Sequence, residues 1–199
     1  MYQSFDKLIK GYKKFRSKYT ESHEFIMRYL YQNGQSPKSM IIGCCDSRVD
    51  PAIILQCNPG DLFIVRNIAN IVPPYQKDGS YHGTSSALEY GIRYLNIEHL
   101  ILLGHSECGG IHALLNRADL KDDFITSWVS IVKDTHNNCL DSNEYSKLAL
   151  KKSFDNAMSF PWIKEKVKGG RLMVHLWYFD IKLGALFSYD HTTKNFKEI

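Results

Sequence analysis

Two short runs limit what this chain can fold into more than any other feature. Met40-Ile41-Ile42-Gly43 and Leu100-Ile101-Leu102-Leu103-Gly104 are apolar at every position. A strand with one wet face alternates. A run without alternation, this short and bounded by polar residues, fits a parallel strand covered on both faces. Strands are expected over residues 39–44, 61–66, 99–104, 172–179 and 186–189, the last two joined around Lys182-Leu183-Gly184. Helical spacing fills the intervals: 84–95 with Thr84 as its cap, then 111–116, 123–135, 143–160 and a short helix after Phe160-Pro161-Trp162. Asp50-Pro51 reads as a further helix start, Asp as N-cap and Pro at the first helical position. The alternation predicts an α/β fold, a mainly parallel central β-sheet with an antiparallel edge strand, flanked by helices. With strands 39–44 and 99–104 adjacent and 61–66 on the far side of the first, the chain changes direction between the two apolar strands. Open α/β sheets bind ligands in the crevice at that point, beyond the carboxyl ends of the strands.

The residues that follow the two runs carry the chemistry. Cys44-Cys45-Asp46-Ser47-Arg48 follows the first, and His105-Ser106-Glu107-Cys108-Gly109-Gly110 the second. Zinc takes thiolate sulfur and imidazole nitrogen, and structural sites use four protein ligands. Only three can be assembled here, Cys44, His105 and Cys108, which leaves a position for water. Zinc lowers the pKa of such a water from about 15.7 to about 7. Asp46 and Arg48 are expected to pair bidentately, keeping Asp46 ionised, directed at the bound water and away from the metal.

Taken singly these signals are weak. A cysteine ending a buried strand is most often a small core residue, and an exposed Asp-x-Arg pair is most often a surface ion pair of little worth. Their conjunction at two adjoining strand ends carries the assignment. His136-Asn137-Asn138-Cys139 repeats the spacing without an apolar strand before it and reads as surface. Cys45 is expected on the opposite side from Cys44, in the core, and Cys57 as packing. His23, His82, His99, His112, His175 and His191 lack a ligand partner at a sensible spacing.

A chain of 199 residues is expected to form one domain, a helical arm over residues 1–33 and an α/β core over 34–199. Phe5, Leu8, Ile9, Tyr12, Phe15 and Tyr19, then Phe25, Ile26, Tyr29 and Leu30, recur at helical steps and need an apolar surface, either this domain's or a second subunit's. Five cysteines without a dense regular spacing favour reduced thiols or a metal site over bridges. A net charge of +4, with its lysines on wet helix faces, argues against a nucleic-acid partner. No apolar run is long enough to cross a bilayer and the N-terminus lacks a secretory h-region, so no membrane partner is expected and the cytoplasm is the default location.

Cys44-x-Asp46-x-Arg48 and His105-x-x-Cys108-Gly109-Gly110, with Arg66-Asn67-Ile68-Ala69-Asn70, Val72-Pro73-Pro74 and Ala87-Leu88-Glu89-Tyr90 between them, closely resemble the β-class carbonic anhydrases. The resemblance implies reversible hydration of carbon dioxide to bicarbonate and a proton, with one zinc per subunit on Cys44, His105 and Cys108 and an Asp46–Arg48 orienting dyad. Gln35, Phe63 and Tyr90 match the plant-type branch, whose glutamine hydrogen-bonds substrate in an apolar pocket; Gly109 would line the same pocket. Ile41 stands where the other branch has the tryptophan of a bicarbonate site, so an open metal without that switch is implied. The family forms dimers or multiples of them, so a homodimer or homotetramer is implied, with the active site near the dimer interface and the N-terminal helices extending onto the partner subunit. Cys45 replaces a usual serine, Leu176 a common glycine, and the C-terminus is short; the last two leave higher assembly open. A carbonyl sulfide or carbon disulfide hydrolase on the same scaffold is the alternative, and a non-catalytic zinc protein with a fourth ligand a more distant one.

Overall fold

A computed structural model describes residues 3–21, 25–116, 124–133 and 141–199. The two apolar runs lie at the centre of a six-stranded sheet, as β1 (Ser39–Cys44) and β3 (His99–His105). With β2 (Leu62–Asn67), β4 (Met173–Asp180), β5 (Ala185–Asp190) and β6 (Asn195–Glu198), the order across the sheet is β2-β1-β3-β4-β5-β6. The first four strands in that order are parallel, and β5 and β6 are antiparallel. Sequence patterning anticipates β5 as the edge. The chain adds β6, whose four residues hold only one half-buried side chain, Phe196, and so offer almost no periodicity to read.

Both faces of the central strands are covered, which is why they lack polar alternation. Met40, Ile42, Leu100 and Leu102 are fully buried on one face, packed with Leu88, Leu150, Phe160 and Ile163. Ile41, Ile101 and Leu103 cluster on the other, with Leu55, Leu62, Trp177 and Leu186 against them. The helices of the first face are α4 (Gly83–Glu89), α7 (Ser142–Met158) and α8 (Pro161–Lys168), while α6 (Phe124–Ser130) packs its Val129 in a separate cluster with Cys44 and Cys108. Helix α3 (Pro51–Ile54) starts as expected, the Asp50 carboxylate accepting from the amides of Ala52 and Ile53. Thr84 is not the cap of α4. The helix begins at Gly83, and the Thr84 hydroxyl instead accepts from the Asn67 side chain at 3.2 Å, tying α4 to the end of β2.

The register sets the strand ends that carry Cys44 and His105 side by side. Ser39 pairs with His99 and Gly43 with Leu103, so Cys44 and His105 leave the sheet as neighbours. β2 lies on the outer side of β1, which puts the change of chain direction between β1 and β3.

Helices α1 (Gln3–Arg16, continued by a wider turn to Glu21) and α2 (Ile26–Asn33) stand apart from this core. Phe5, Leu8 and Tyr12 on α1 are 61%, 68% and 58% exposed, so its apolar stripe has no cover among the described residues. Among the described residues, the arm is anchored at its C-terminal end. Gly60 turns with φ 95°, and a Cβ there would lie 2.8 Å from a methyl of Leu30 on α2. Among the described residues no helix is long and apolar enough to cross a membrane.

Candidate metal centre

β1 ends at Cys44 and β3 at His105, and a short loop then carries Cys108 to the start of α5 (Gly109–Leu115). The donor atoms of Cys44, His105 and Cys108 all lie within 4.8 Å of one another, and all three residues are buried. The two sulfurs are 3.9 Å apart and unbridged. Two thiolates bound to one zinc at about 2.3 Å in tetrahedral geometry would stand about 3.8 Å apart. The ring of His105 shows which nitrogen is available. Its Nδ1 sits 2.8 Å from the Ser106 carbonyl, which can only accept, so Nδ1 carries the proton. Nε2 is then a buried lone pair, and it has no hydrogen-bond partner. Such an orphan calls for an explanation, and a bound ion is among the usual ones. The donors fit a zinc ion.

The thiols are already polarised toward this role. A hydrogen bond from Cys108, helped by His105 and the Asp46 amide against the opposing effect of burial, pulls the Cys44 thiol down to about 4. The same bond, with burial, pushes Cys108 up. A bound dication would displace the thiol protons that remain.

Asp46 is held beside the donors by Arg48. The guanidinium Nε donates to Oδ1 at 3.0 Å and Nη2 to Oδ2 at 2.7 Å, and the Arg48 amide adds a third bond at 3.0 Å. These bonds hold the Asp46 carboxyl well below the usual carboxylate range. The expected bidentate pair is present, and it occupies both oxygens of Asp46.

Arg66 on β2 organises this loop from below. Its Nε donates to the Cys44 carbonyl at 2.8 Å, Nη2 to the Asp46 carbonyl at 2.6 Å, and Nη1 to Asp50 Oδ2 at 2.7 Å. Sequence reasoning gave Arg66 no role. A long cation ending a half-buried strand needs nearby acceptors, and the Cys44–Asp50 loop supplies them. Asn67 does the same for the next turn, accepting from the Ile71 amide and donating to its carbonyl. That turn, Ile68–Asn70, brings Ala69 through φ 61° against α5. Gly110 makes the approach possible, since a Cβ there would lie 2.7 Å from Ile68 Cγ2 and 2.9 Å from Ala69 Cβ.

A cleft of about 340 Å³ opens beside the donors and reaches Cys44, lined by it with Cys45, Asp46, Ile68, Gly109, Gly110, Ala113 and Ile125. Cys45 is exposed in this cleft and not in the core. β1 stops at Cys44, so strand alternation does not reach the next residue. A larger depression of about 490 Å³ lies elsewhere, between the Tyr75–His82 loop and α8, and among the described residues it contains no cluster of metal donors.

Gly109 therefore sits at the cleft, whereas Gln35, Phe63 and Tyr90 do not line it. Gln35 is exposed after α2. Phe63 pairs with Met40, four residues before Cys44, which is about 13 Å back along the strand. It packs on Tyr90 at 5.9 Å, and Tyr90 stacks on Tyr94. His136 and Cys139 lie outside the described residues, as does His23.

The carbonic anhydrase family model matches residues 39–186, most of the chain. Beta carbonic anhydrase 5 (chloroplastic) of Arabidopsis thaliana is 39% identical over 74% of this chain, which spans about half, 52%, of that relative. The solved structure of the β-carbonic anhydrase CcaA superposes with a TM-score of 0.86 at 31% identity, covering 98% of this chain and 92% of that one. A structure from a study of two tetrameric β-carbonic anhydrases of Sordaria macrospora gives 0.79 at 27% identity, covering 93% and 96%. Parallel sheet, paired ligand loops and a matched family model together make the conclusion plain: the chain belongs to the β-carbonic anhydrase family.

Proposed function

We propose that the protein is a zinc enzyme that hydrates carbon dioxide reversibly to bicarbonate and a proton. The observation that carries this is the buried, unpartnered Nε2 of His105 facing two unbridged sulfurs, beside a carboxylate that is held ionised. When bound, zinc supplies a Lewis acid that brings the ionisation of a coordinated water near neutral pH. The chain's own residues do the rest. Cys44, His105 and Cys108 hold the ion. Asp46 accepts a hydrogen bond from the attacking oxygen and turns its lone pair toward the carbon, and Arg48 keeps Asp46 charged and off the metal. Ile68, Ala113, Ile125 and the bare backbone of Gly109 give the nonpolar gas an apolar wall. Ile41 is fully buried in the sheet, which supports an open centre without a tryptophan-gated bicarbonate site.

The working unit in this reading is a homodimer or a multiple of it, the 1–33 arm of each copy lying on the other. The uncovered stripe of α1 supports it, as do the exposed Ile64, Tyr90 and Tyr94, since a patch of that kind on a folded chain marks an interaction face. Gln35, Phe63 and Tyr90 would then complete the substrate pocket across the interface, which accounts for their distance from the donors of their own chain. The cytoplasm is the location proposed.

Stopped-flow hydration of carbon dioxide, with and without a chelator, tests the function. Rapid turnover abolished by chelation and restored by zinc is expected. A zinc-loaded protein that turns over carbonyl sulfide but not carbon dioxide would overturn the assignment in favour of the hydrolase.

A further inference from the structure

The Asp46–Arg48 pair is tied to the second ligand loop by a single bond, from Arg48 Nη2 to the Glu107 carbonyl at 3.0 Å. Arg48 is half exposed. Exposed ion pairs hold their partners weakly, and a carboxylate beside a zinc site is itself a competent ligand. Something must therefore fix the guanidinium if Asp46 is to stay on it. The Glu107 carbonyl can do so only if Glu107 keeps its own unusual backbone, φ 54° in the left-handed region that side chains other than glycine rarely adopt.

A side chain from α7 holds it there. Asn143 Oδ1 accepts from the Glu107 amide at 2.8 Å, and Asn143 Nδ2 donates to Glu107 Oε1 at 3.3 Å. The other carboxylate oxygen of Glu107 faces His112 Nε2 at 3.4 Å. Asn143 is itself fixed in the first turn of its helix, where its amide donates to the Asp141 cap at 2.9 Å. A continuous path runs from α7 through Asn143, Glu107 and Arg48 to Asp46.

We infer that Asn143, acting through Glu107 and Arg48, is a positioning residue that keeps the Asp46 carboxylate on Arg48 and away from the metal. Asn143 touches neither substrate nor donor. Without it the Glu107 carbonyl loses its fixed place, the guanidinium its third partner, and Asp46 becomes free to take the open coordination position. The inference rests on the proposed zinc centre, but its readout does not require turnover.

The test uses the full chain with cobalt(II) in place of zinc and compares wild type, Asn143→Ala, Asp46→Asn and the double variant. Thiocyanate titration, followed by the visible cobalt spectrum, reports whether the open position is available. Asn143→Ala is expected to weaken thiocyanate binding roughly three- to tenfold and to change the anion-free spectrum, somewhat less than loss of a direct partner of a ligand would. Asp46→Asn on the Asn143→Ala background should restore wild-type affinity, because no carboxylate remains to compete. A merely structural role for Asn143 would lower the melting temperature without that restoration. An unchanged spectrum and affinity in Asn143→Ala, or a loss that Asp46→Asn does not relieve, overturns the inference. Should Asn143→Ala not fold, Asn143→Leu keeps the bulk and helix propensity of the position, offers the Glu107 amide no acceptor and is read in the same way. A wild-type protein that binds cobalt and thiocyanate but does not hydrate carbon dioxide would refute the proposed function alone and leave this inference standing.

Discussion

Strand β3 carries a histidine at each end, and the two are used in opposite ways. At its start, His99 Nδ1 meets His175 Nε2 at 3.1 Å, so each ring occupies the other. At its end, His105 gives Nδ1 to a backbone carbonyl and keeps Nε2 free toward two sulfurs. Residue type and strand are shared, though His99 is half-buried and His105 fully buried. What differs is the end of the sheet. At the carboxyl end the loops after β1 and β3 converge from opposite sides of the switch point and bring cysteines with them, whereas at the amino end the neighbouring strand offers only another imidazole. A histidine becomes a ligand through what its neighbours leave unsatisfied.

The sharpest break of this comparison removes a donor at one end and an imidazole at the other. Cys44→Ser or His105→Ala is expected to lose the metal on purification and with it nearly all hydration, whereas His99→Ala should keep one zinc per chain and near wild-type turnover. Metal analysis beside stopped-flow rates checks both. A smaller effect is expected from Asp46→Asn, which removes a partner of the centre and not a ligand. Zinc content should stay unchanged while the hydration rate falls roughly ten- to a hundredfold. Gly110→Ala attacks the packing that sets Cys108. Its methyl would press on Ile68 and Ala69 inside 3 Å, so a loss of about 1–3 kcal/mol in chemical denaturation is expected, with weaker zinc retention.

The smallest effect belongs to the amino end. Burial, and then His99, holds His175 below the ordinary histidine value. The unfolded chain therefore takes up this proton more readily than the folded one, and the contribution of neutral His175 to stability fades as pH falls below about 6.5. Melting temperatures between about pH 8 and about pH 5 should decline less in His175→Phe than in wild type; an equal or steeper decline in the variant would break this account of the histidine pair.

Much of this was legible in the chain because the features that place the centre are local. Two runs without alternation mark doubly covered strands, and each ligand loop follows one of them directly. The Asp46–Arg48 pair is close enough in sequence to be paired by reach alone. Cys45 was misassigned because alternation was carried one residue past the strand end. β6 escaped because a four-residue edge strand with one half-buried side chain has no period. Arg66, Asn67 and Asn143 escaped for a deeper reason. Their partners are backbone carbonyls and amides, close by for Asn67 but far along the chain for Arg66 and Asn143, and a hydrogen bond to a backbone leaves no mark on the partner's residue type. The cover for α1 is a different matter, since none of the described residues supplies it.

The central claim is an ion on two sulfurs and one imidazole with a fourth corner left to solvent. X-ray absorption at the zinc edge of the native protein tests it directly. The account predicts one zinc per chain with two sulfur scatterers at about 2.3 Å and two lighter ones at about 2.0–2.1 Å, one of the light pair exchanging for added thiocyanate. A native, fully folded protein without zinc, or a shell that no added anion can enter, would contradict it.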